Sequence, residues 1–141
     1  MGELLNFRRS VNGIDVEQRV ADGFINATAM CVAHSKDLTQ WFRTKDTFEL
    51  FMELAQDLGI SANSVNLQNL DFSRLSASRY ADIFPGLVFS KRGAPTTGGG
   101  TWLHPDLALQ LAQWCNKRFA IEVSRWIREW LTAGHVPMDS D

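Results

Sequence analysis

Two short segments of the 141-residue chain combine cationic side chains with hydroxyl or amide groups. These residue types donate hydrogen bonds to phosphate oxygens and to the edges of bases. The first segment carries Lys36, Thr39, Gln40, Arg43 and Lys45, and the second carries Lys91, Arg92, Gly93, Thr96 and Thr97. From residue types alone, the favoured interpretations need no ligand: a solvated helix surface for the first segment and a flexible exposed hairpin for the second.

Charge is distributed unevenly along the chain. The formal net charge is −2 at pH 7, whereas a nucleic-acid-binding domain is ordinarily basic. Residues 34–45 and residues 86–104 each sum to +2, so the rest of the chain carries −6. This segregation favours the two positive segments as the place where a polyanion would bind.

Other chemistries lack the residue spacing that they need. The intervals between Cys31, His34, His104 and Cys115 fit no standard zinc site, and we expect both cysteines to be reduced, buried thiols. No nucleophile stands at a useful interval from a base, and the glycine run at 98–100 lacks the lysine of a phosphate-binding P-loop. We therefore expect no enzymatic activity, no cofactor and no metal.

The elements that position the first segment begin with a strand meander. Asn12-Gly13 and Asp22-Gly23 are turn dipeptides, and the residues around them alternate between apolar and polar from Leu5 onward. A short helix over residues 28–34 is expected next, because Asn26 and Thr28 are good helix caps.

Two capping boxes predict the following helices. Asp37 with Gln40 opens a short helix that reaches residue 45, and Asp46 with Glu49 opens a third helix that ends at Gly59. The third helix is expected to bury a stripe formed by Phe48, Phe51, Ala55 and Leu58. Residues 60–84, which include Leu67, are rich in serine and asparagine, and only a short helix near residues 73–81 is predicted there.

The second segment is expected to lie on a hairpin. Residues 87–89 and 101–103 read as its strands, and residues 91–100 form a long loop whose tip is stiffened by Pro95. The three glycines at 98–100 allow positive φ and a close approach of bare N–H groups to a phosphate.

Two amphipathic helices complete the chain. His104 caps the first helix, and Pro105 is suited to its first turn. The second helix is expected to end at Gly134 and Pro137. Trp102, Trp114, Trp126 and Trp130 fall at core spacing, so they are interpreted as packing residues rather than as platforms for bases.

Length and composition indicate one α+β domain over residues 1–134, with four or five helices and a short acidic tail at 135–141. No apolar run approaches the roughly 20 residues of a membrane span, and the amino terminus lacks the pattern of a secretory signal. We therefore expect a cytoplasmic protein that does not bind membranes.

A family resemblance adds to these predictions. The glycine run is followed by Thr101-Trp102, His104-Pro105 and two helices, and Asp22-Gly23-Phe24-Ile25-Asn26-Ala27-Thr28 stands upstream in the expected order. Together the two signatures resemble the KilA-N domain of bacteriophages and large DNA viruses, over about residues 5 to 131. That resemblance implies a relation to the fungal APSES DNA-binding domain and a fold similar to a winged helix-turn-helix.

The resemblance also implies a function, which is non-enzymatic binding of double-stranded DNA by a regulatory protein. Residues 37–45 would enter the major groove, and the hairpin at 87–103 would act as a wing on the backbone. Arg43 could bond guanine or phosphate, Gln40 could read adenine, and Lys36 and Lys45 would act as point charges. In a bacterial host such a protein would be associated with the nucleoid.

Partners other than DNA stay open. A homodimer is one, and a host or phage regulatory protein is another. In the alternative interpretation the domain is a protein-interaction module, similar to an antirepressor, that uses the glycine hairpin or the carboxyl-terminal helix. The net negative charge keeps this alternative in view.

Overall fold

The structure, a computed structural model, describes residues 6–63 and 69–134. The strands in these residues are β1 (Asn6–Val11), β2 (Ile14–Arg19), β3 (Ile25–Asn26), β4 (Val88–Lys91) and β5 (Gly100–Leu103). The helices are α1 (Ala27–Val32), α2 (Leu38–Phe42), α3 (Lys45–Leu58), α4 (Ala77–Ile83), α5 (Pro105–Cys115) and α6 (Lys117–Glu129). The predicted α+β class is confirmed, with six α-helices in the described ranges where four or five were expected.

Several expectations lie outside the described residues. They concern Leu5, Leu67, Pro137 and the acidic tail at 135–141. In the ranges that the structure describes, no helix is both long and apolar enough to cross a membrane.

All five strands form one antiparallel sheet in the order β1-β2-β3-β5-β4. The turn between β1 and β2 has positive φ at both Asn12 and Gly13, which is the geometry that suits a two-residue hairpin. The short strand β3 pairs with β5, with Ile25 opposite Leu103 and Asn26 opposite Trp102. The amino-terminal meander and the later hairpin are therefore two parts of the same sheet.

The first helices start and stop near the predicted residues, with two corrections. Asp37 caps α2 as expected, and Gly59 closes α3 with a φ of 71°. The cap of α3, however, is Thr44, whose hydroxyl accepts from the Thr47 N–H, and Asp46 lies in the first turn instead. Leu58 is 43% exposed, because the last turn of α3 extends past the core.

An aromatic cluster joins α2, α3 and α4. The Tyr80 ring on α4 lies 4.6 Å from that of Phe42 and 4.7 Å from that of Phe51, and Phe48 and Phe84 complete the cluster. All five side chains are buried. The helix predicted at 73–81 is observed as α4, which starts later because Ser76 is its cap and residues 72–74 form a separate 3₁₀ turn.

Helix α5 begins at Pro105, as predicted. The His104 imidazole accepts a 3.1 Å hydrogen bond from the Asp106 N–H, and α6 begins one residue after its cap, Asn116. A π-helical turn, Trp130–Gly134, follows α6. Most of the tryptophans are buried as expected, but Trp114 is only half-buried.

Candidate nucleic-acid interface

The Asn-Ala-Thr sequence holds the glycine run in place. The Asn26 side-chain amide donates a 2.8 Å hydrogen bond to the Gly99 carbonyl, while its oxygen caps α1 by accepting from the Ala29 N–H. The Thr28 hydroxyl accepts a 3.0 Å hydrogen bond from the Thr101 N–H. The returning strand of the hairpin is thus tied to the start of α1, and the whole junction is buried or half-buried.

The glycines serve the hairpin itself. Gly98 and Gly100 have φ values of 86° and 111°, in the region that favours glycine. A Cβ at Gly99 would lie 2.1 Å from the carbonyl oxygen of Gly93, so only glycine fits where the two sides of the loop touch. The close approach made possible by this glycine is therefore to the opposite backbone.

The expectation of bare N–H groups on the glycine run is wrong for two of its three residues. The Gly98 N–H donates to the Pro95 carbonyl, and the Gly99 N–H donates to the Ala94 carbonyl. A 3₁₀ turn at Pro95–Thr97 folds the loop back on itself and satisfies these donors internally. Side chains, rather than these two N–H groups, are what the loop offers to a ligand.

The side chains predicted to bind on the loop are exposed. Lys91, Arg92, Thr96 and Thr97 all face solvent, as does Gly93. The Thr97 hydroxyl already donates to the Ala94 carbonyl, so it can still accept a hydrogen bond but not donate a second one. In the described part of the chain neither Lys91 nor Arg92 forms an ion pair.

The segment predicted as one helix over 37–45 is divided in the structure. Helix α2 has five residues, Arg43 is its carboxyl-terminal cap, and Lys45 is the first residue of α3. Gln40 and Arg43 are exposed and Thr39 is half-buried. A helix of five residues is about 7.5 Å long, so it can offer little more than one turn to a groove.

Two of the predicted cations already have partners. The Lys36 ammonium lies 4.6 Å from the centre of the Trp114 ring, which is within the range of a cation–π contact. Lys45 lies 3.7 Å from the Glu49 carboxylate in an exposed pair. An exposed pair of this kind contributes little, so Lys45 stays available to a stronger anion.

A cleft of about 420 Å³ lies between the first segment and the base of the hairpin. Its polar lining consists of Lys36, Asp37, Thr39 and Thr101, together with Thr28 from α1. Lys91 pairs with Gly100, and Gly100 lies against Thr28, so the base of the hairpin adjoins this cleft. The structure therefore brings Lys36 and Thr39 close to the hairpin base, whereas Arg43 and Lys45 do not line the cleft.

The two cysteines meet beside this cleft. A hydrogen bond with Cys115 and burial together raise the pKa of Cys31. The same hydrogen bond, with help from the nearby Lys36 ammonium, lowers the pKa of Cys115. Both thiols are free, as expected, but Cys115 is half-buried rather than buried, because it is the last residue of α5.

Among residues 6–63 and 69–134, no three His, Cys, Asp or Glu side chains are grouped so as to hold a metal ion. Burial lowers the pKa of His104, against the opposing effect of the Asp106 and Asp22 carboxylates. The neutral imidazole is the form that can accept the N–H of its helix.

The hydrogen bonds that Asn26 and Thr28 form with the hairpin could not be predicted from the sequence. Both residues were expected to be helix caps, and only Asn26 is one. Their bonds to Gly99 and Thr101 span 73 residues, a separation at which local patterns carry no signal.

Comparison with known proteins gives a family match. The chain matches the KilA-N domain model over residues 10–133. It is 30% identical, over 109 residues, to a KilA-N domain-containing protein, L4, of Acanthamoeba polyphaga mimivirus. It is 25% identical to a second such protein of that virus, R878, and 23% identical to the uncharacterized protein FPV248 of fowlpox virus.

The matched regions are only part of the mimivirus proteins. The alignments cover 77% of this chain in both cases, but 19% of L4 and 26% of R878. The alignment with the fowlpox virus protein covers 86% of this chain and 69% of that protein. No solved structure matches the chain.

Proposed function

The chain belongs to the KilA-N domain family, and on that premise we propose that it is a non-enzymatic module that binds double-stranded DNA in a viral or phage regulatory protein. The observation that carries the proposal is the junction at Asn26, which ties the hairpin to α1 and so sets the hairpin base beside Lys36 and Thr39. Lys36 and Thr39 of the first segment thereby border one cleft with Thr101 at the base of the hairpin, whereas Lys91 and Arg92 do not line it.

On the helical side, α2 provides the base-reading group. Gln40 and Arg43 are exposed on the helix and its cap, and an arginine or glutamine can form two hydrogen bonds to one base. The half-buried Thr39 and the first residue of α3, Lys45, flank them and contact the phosphate backbone. Because α2 is short, we propose that it reads few base pairs and that phosphate contacts supply most of the affinity.

On the hairpin side, Lys91 and Arg92 act as the wing. They lie where β4 gives way to the loop, and internal hydrogen bonds of the loop and the bond to Asn26 hold that loop in shape. A pre-organised loop loses less conformational entropy on binding, so its cations contribute more to the affinity than the same cations on a flexible loop.

The proposal is tested by titrating a labelled duplex at several salt concentrations. If about four to six phosphates are engaged, affinity falls steeply with salt, and Arg43→Ala or the Lys91→Ala/Arg92→Ala double variant weakens binding by about 1 to 3 kcal/mol. Arg8→Ala is the matched control, because Arg8 is an exposed arginine on β1, at the edge of the sheet opposite β4. Equal losses in all three variants would contradict the proposed surface.

The alternative function is a protein-interaction module. A specific observation keeps it in view: the outer face of α6 exposes Ile121 to 53%. This alternative predicts that no duplex is bound even at low salt, which the same titration decides.

A further inference from the structure

The outer face of α3 is a stripe of carboxylates. Asp46, Glu49, Glu53 and Asp57 recur at intervals of three or four residues and are all exposed. The only cation on α3 is Lys45, which lies beside Glu49. These four side chains, called the acidic stripe below, stand on one side of the helix.

Apolar clefts run along the acidic stripe. A cleft of about 770 Å³ is lined by Leu50, Met52 and Phe72 among the carboxylates. A second, of about 340 Å³, lies between α3 and α5, where Leu50 and Leu54 face Gln110. An apolar floor with an acidic rim fits a basic helix that carries an apolar residue at its centre.

Helix α6 of the same chain has those properties. Lys117, Ile121, Arg125 and Arg128 recur at intervals of four, four and three residues, and all are exposed. Ile121, near the middle, borders a mainly apolar cleft of about 490 Å³ with Leu109 and Ala120. These four residues are called the basic stripe below. In the described part of the chain, its cations Lys117, Arg125 and Arg128 form no ion pair.

The two stripes flank the same helix. One side of α5 contributes Asp106 and Gln110 to the cleft with α3, and the other contributes Leu109 and Gln113 to the cleft with α6. A two-fold axis along the outer edge of α5 would place the acidic stripe of each copy against the basic stripe of the other. The same contact would then occur twice in one closed interface.

We propose that the chain forms a two-fold symmetric homodimer through these surfaces, with α3 of each copy packed against α6 of the other. The matched spacing of the two stripes supplies charge complementarity, and Ile121 enters the apolar cleft beside Leu50. A DNA backbone is a poorer occupant of the basic stripe, since phosphates gain nothing from a half-exposed isoleucine at its centre. Lys45, which is proposed to contact DNA, lies beside Glu49 of the acidic stripe, but the dimer does not require DNA binding.

Charge reversal with mixing tests the dimer. At low salt, sedimentation should give twice the 15.9 kDa of one chain, and raising the salt to about 1 M should dissociate the dimer by screening. The Glu49→Arg/Glu53→Arg variant and the Arg125→Glu/Arg128→Glu variant should each be monomeric. A one-to-one mixture should restore a heterodimer, because both contacts become complementary again.

Controls keep the outcomes distinct. Asp15→Arg/Asp82→Arg reverses two exposed acids outside the acidic stripe and should leave the dimer intact, and circular dichroism checks that every variant is folded. The proposal is overturned by a monomeric wild type, by a mixture that stays monomeric, or by species larger than a dimer. Loss of duplex binding in the Arg125→Glu/Arg128→Glu variant, with no change in mass, would instead assign the basic stripe to DNA.

Discussion

The side-chain amide of Asn26 donates a 2.8 Å hydrogen bond to the carbonyl of Gly99, across 73 residues of sequence. The same side chain caps α1, so one residue joins the start of the helical layer to the hairpin. The amide has both a donor and an acceptor, and both are satisfied in a buried site. This residue fixes the relative position of the two segments proposed to bind DNA.

Replacing Asn26 should destabilise the domain more than the loss of a cap alone. Asn26→Ala removes a cap and leaves the buried Gly99 carbonyl without its donor, so the free energy of unfolding should fall by about 2 to 4 kcal/mol in urea denaturation. Asn116→Ala is the control, because Asn116 caps α6 and its side chain forms no second hydrogen bond within the described ranges; this variant should lose about 1 kcal/mol. Equal losses would mean that the Gly99 bond contributes nothing.

The Gly99→Ala variant should distort the hairpin. Its Cβ would lie 2.1 Å from the Gly93 carbonyl oxygen, and because that neighbour is backbone, the loop itself must move. We expect weaker duplex binding and a loss of stability of about 1 to 3 kcal/mol. Gly59→Ala controls for stability, since no atom lies within 4 Å of its Cβ and only its positive φ is strained. Duplex affinity unchanged in Gly99→Ala would show that the loop shape does not matter for binding.

Stability should fall in mild acid through His104. Burial lowers its pKa in the folded protein below the ordinary value of 6.5, so the unfolded chain binds the proton more readily. The contribution of His104 is therefore fully present above pH 6.5 and is lost as the pH falls from 6.5 through the folded-state pKa. His104→Asn keeps a cap without a titrating group. The free energy of unfolding should therefore differ less between pH 7 and pH 5 in this variant than in the wild type. If the difference is the same in both proteins, His104 does not contribute to the pH dependence of stability.

The Tyr80 hydroxyl is buried and has no hydrogen-bond partner among the described residues. Burial also raises the pKa of this phenol, which stays protonated. Tyr80→Phe removes the unsatisfied group and keeps the ring contacts with Phe42 and Phe51, so the free energy of unfolding should rise by about 1 kcal/mol. In Tyr80→Leu, which loses the ring, the free energy of unfolding should fall by several kcal/mol. Thermal melts of both variants measure these changes. A destabilised Tyr80→Phe would indicate a partner for the hydroxyl in solution.

Local sequence patterns were sufficient to predict most of the helices and turns. The cap at Asp37, the turn at Asn12-Gly13 and the start of α5 at Pro105 each depend on residues within one or two turns of each other. The predicted cap of α3 was wrong because the sequence has two candidates, Thr44 and Asp46, only two residues apart. In the structure the Thr44 hydroxyl accepts from the Thr47 N–H, so Thr44 is the cap and Asp46 lies in the first turn.

Helix caps, turn residues and apolar periodicity act over a few neighbours, so the helices, the hairpin and the positions of the positive side chains could all be predicted from the sequence. It did not determine that the hairpin joins the meander in one sheet, that Lys36 lies against Trp114, or that the loop satisfies its own N–H groups. The sheet and the Lys36 contact arise from hydrogen bonds and packing between residues far apart in the chain. The hydrogen bonds of the loop are local, but three consecutive glycines leave its backbone conformation open, so no sequence pattern predicts them.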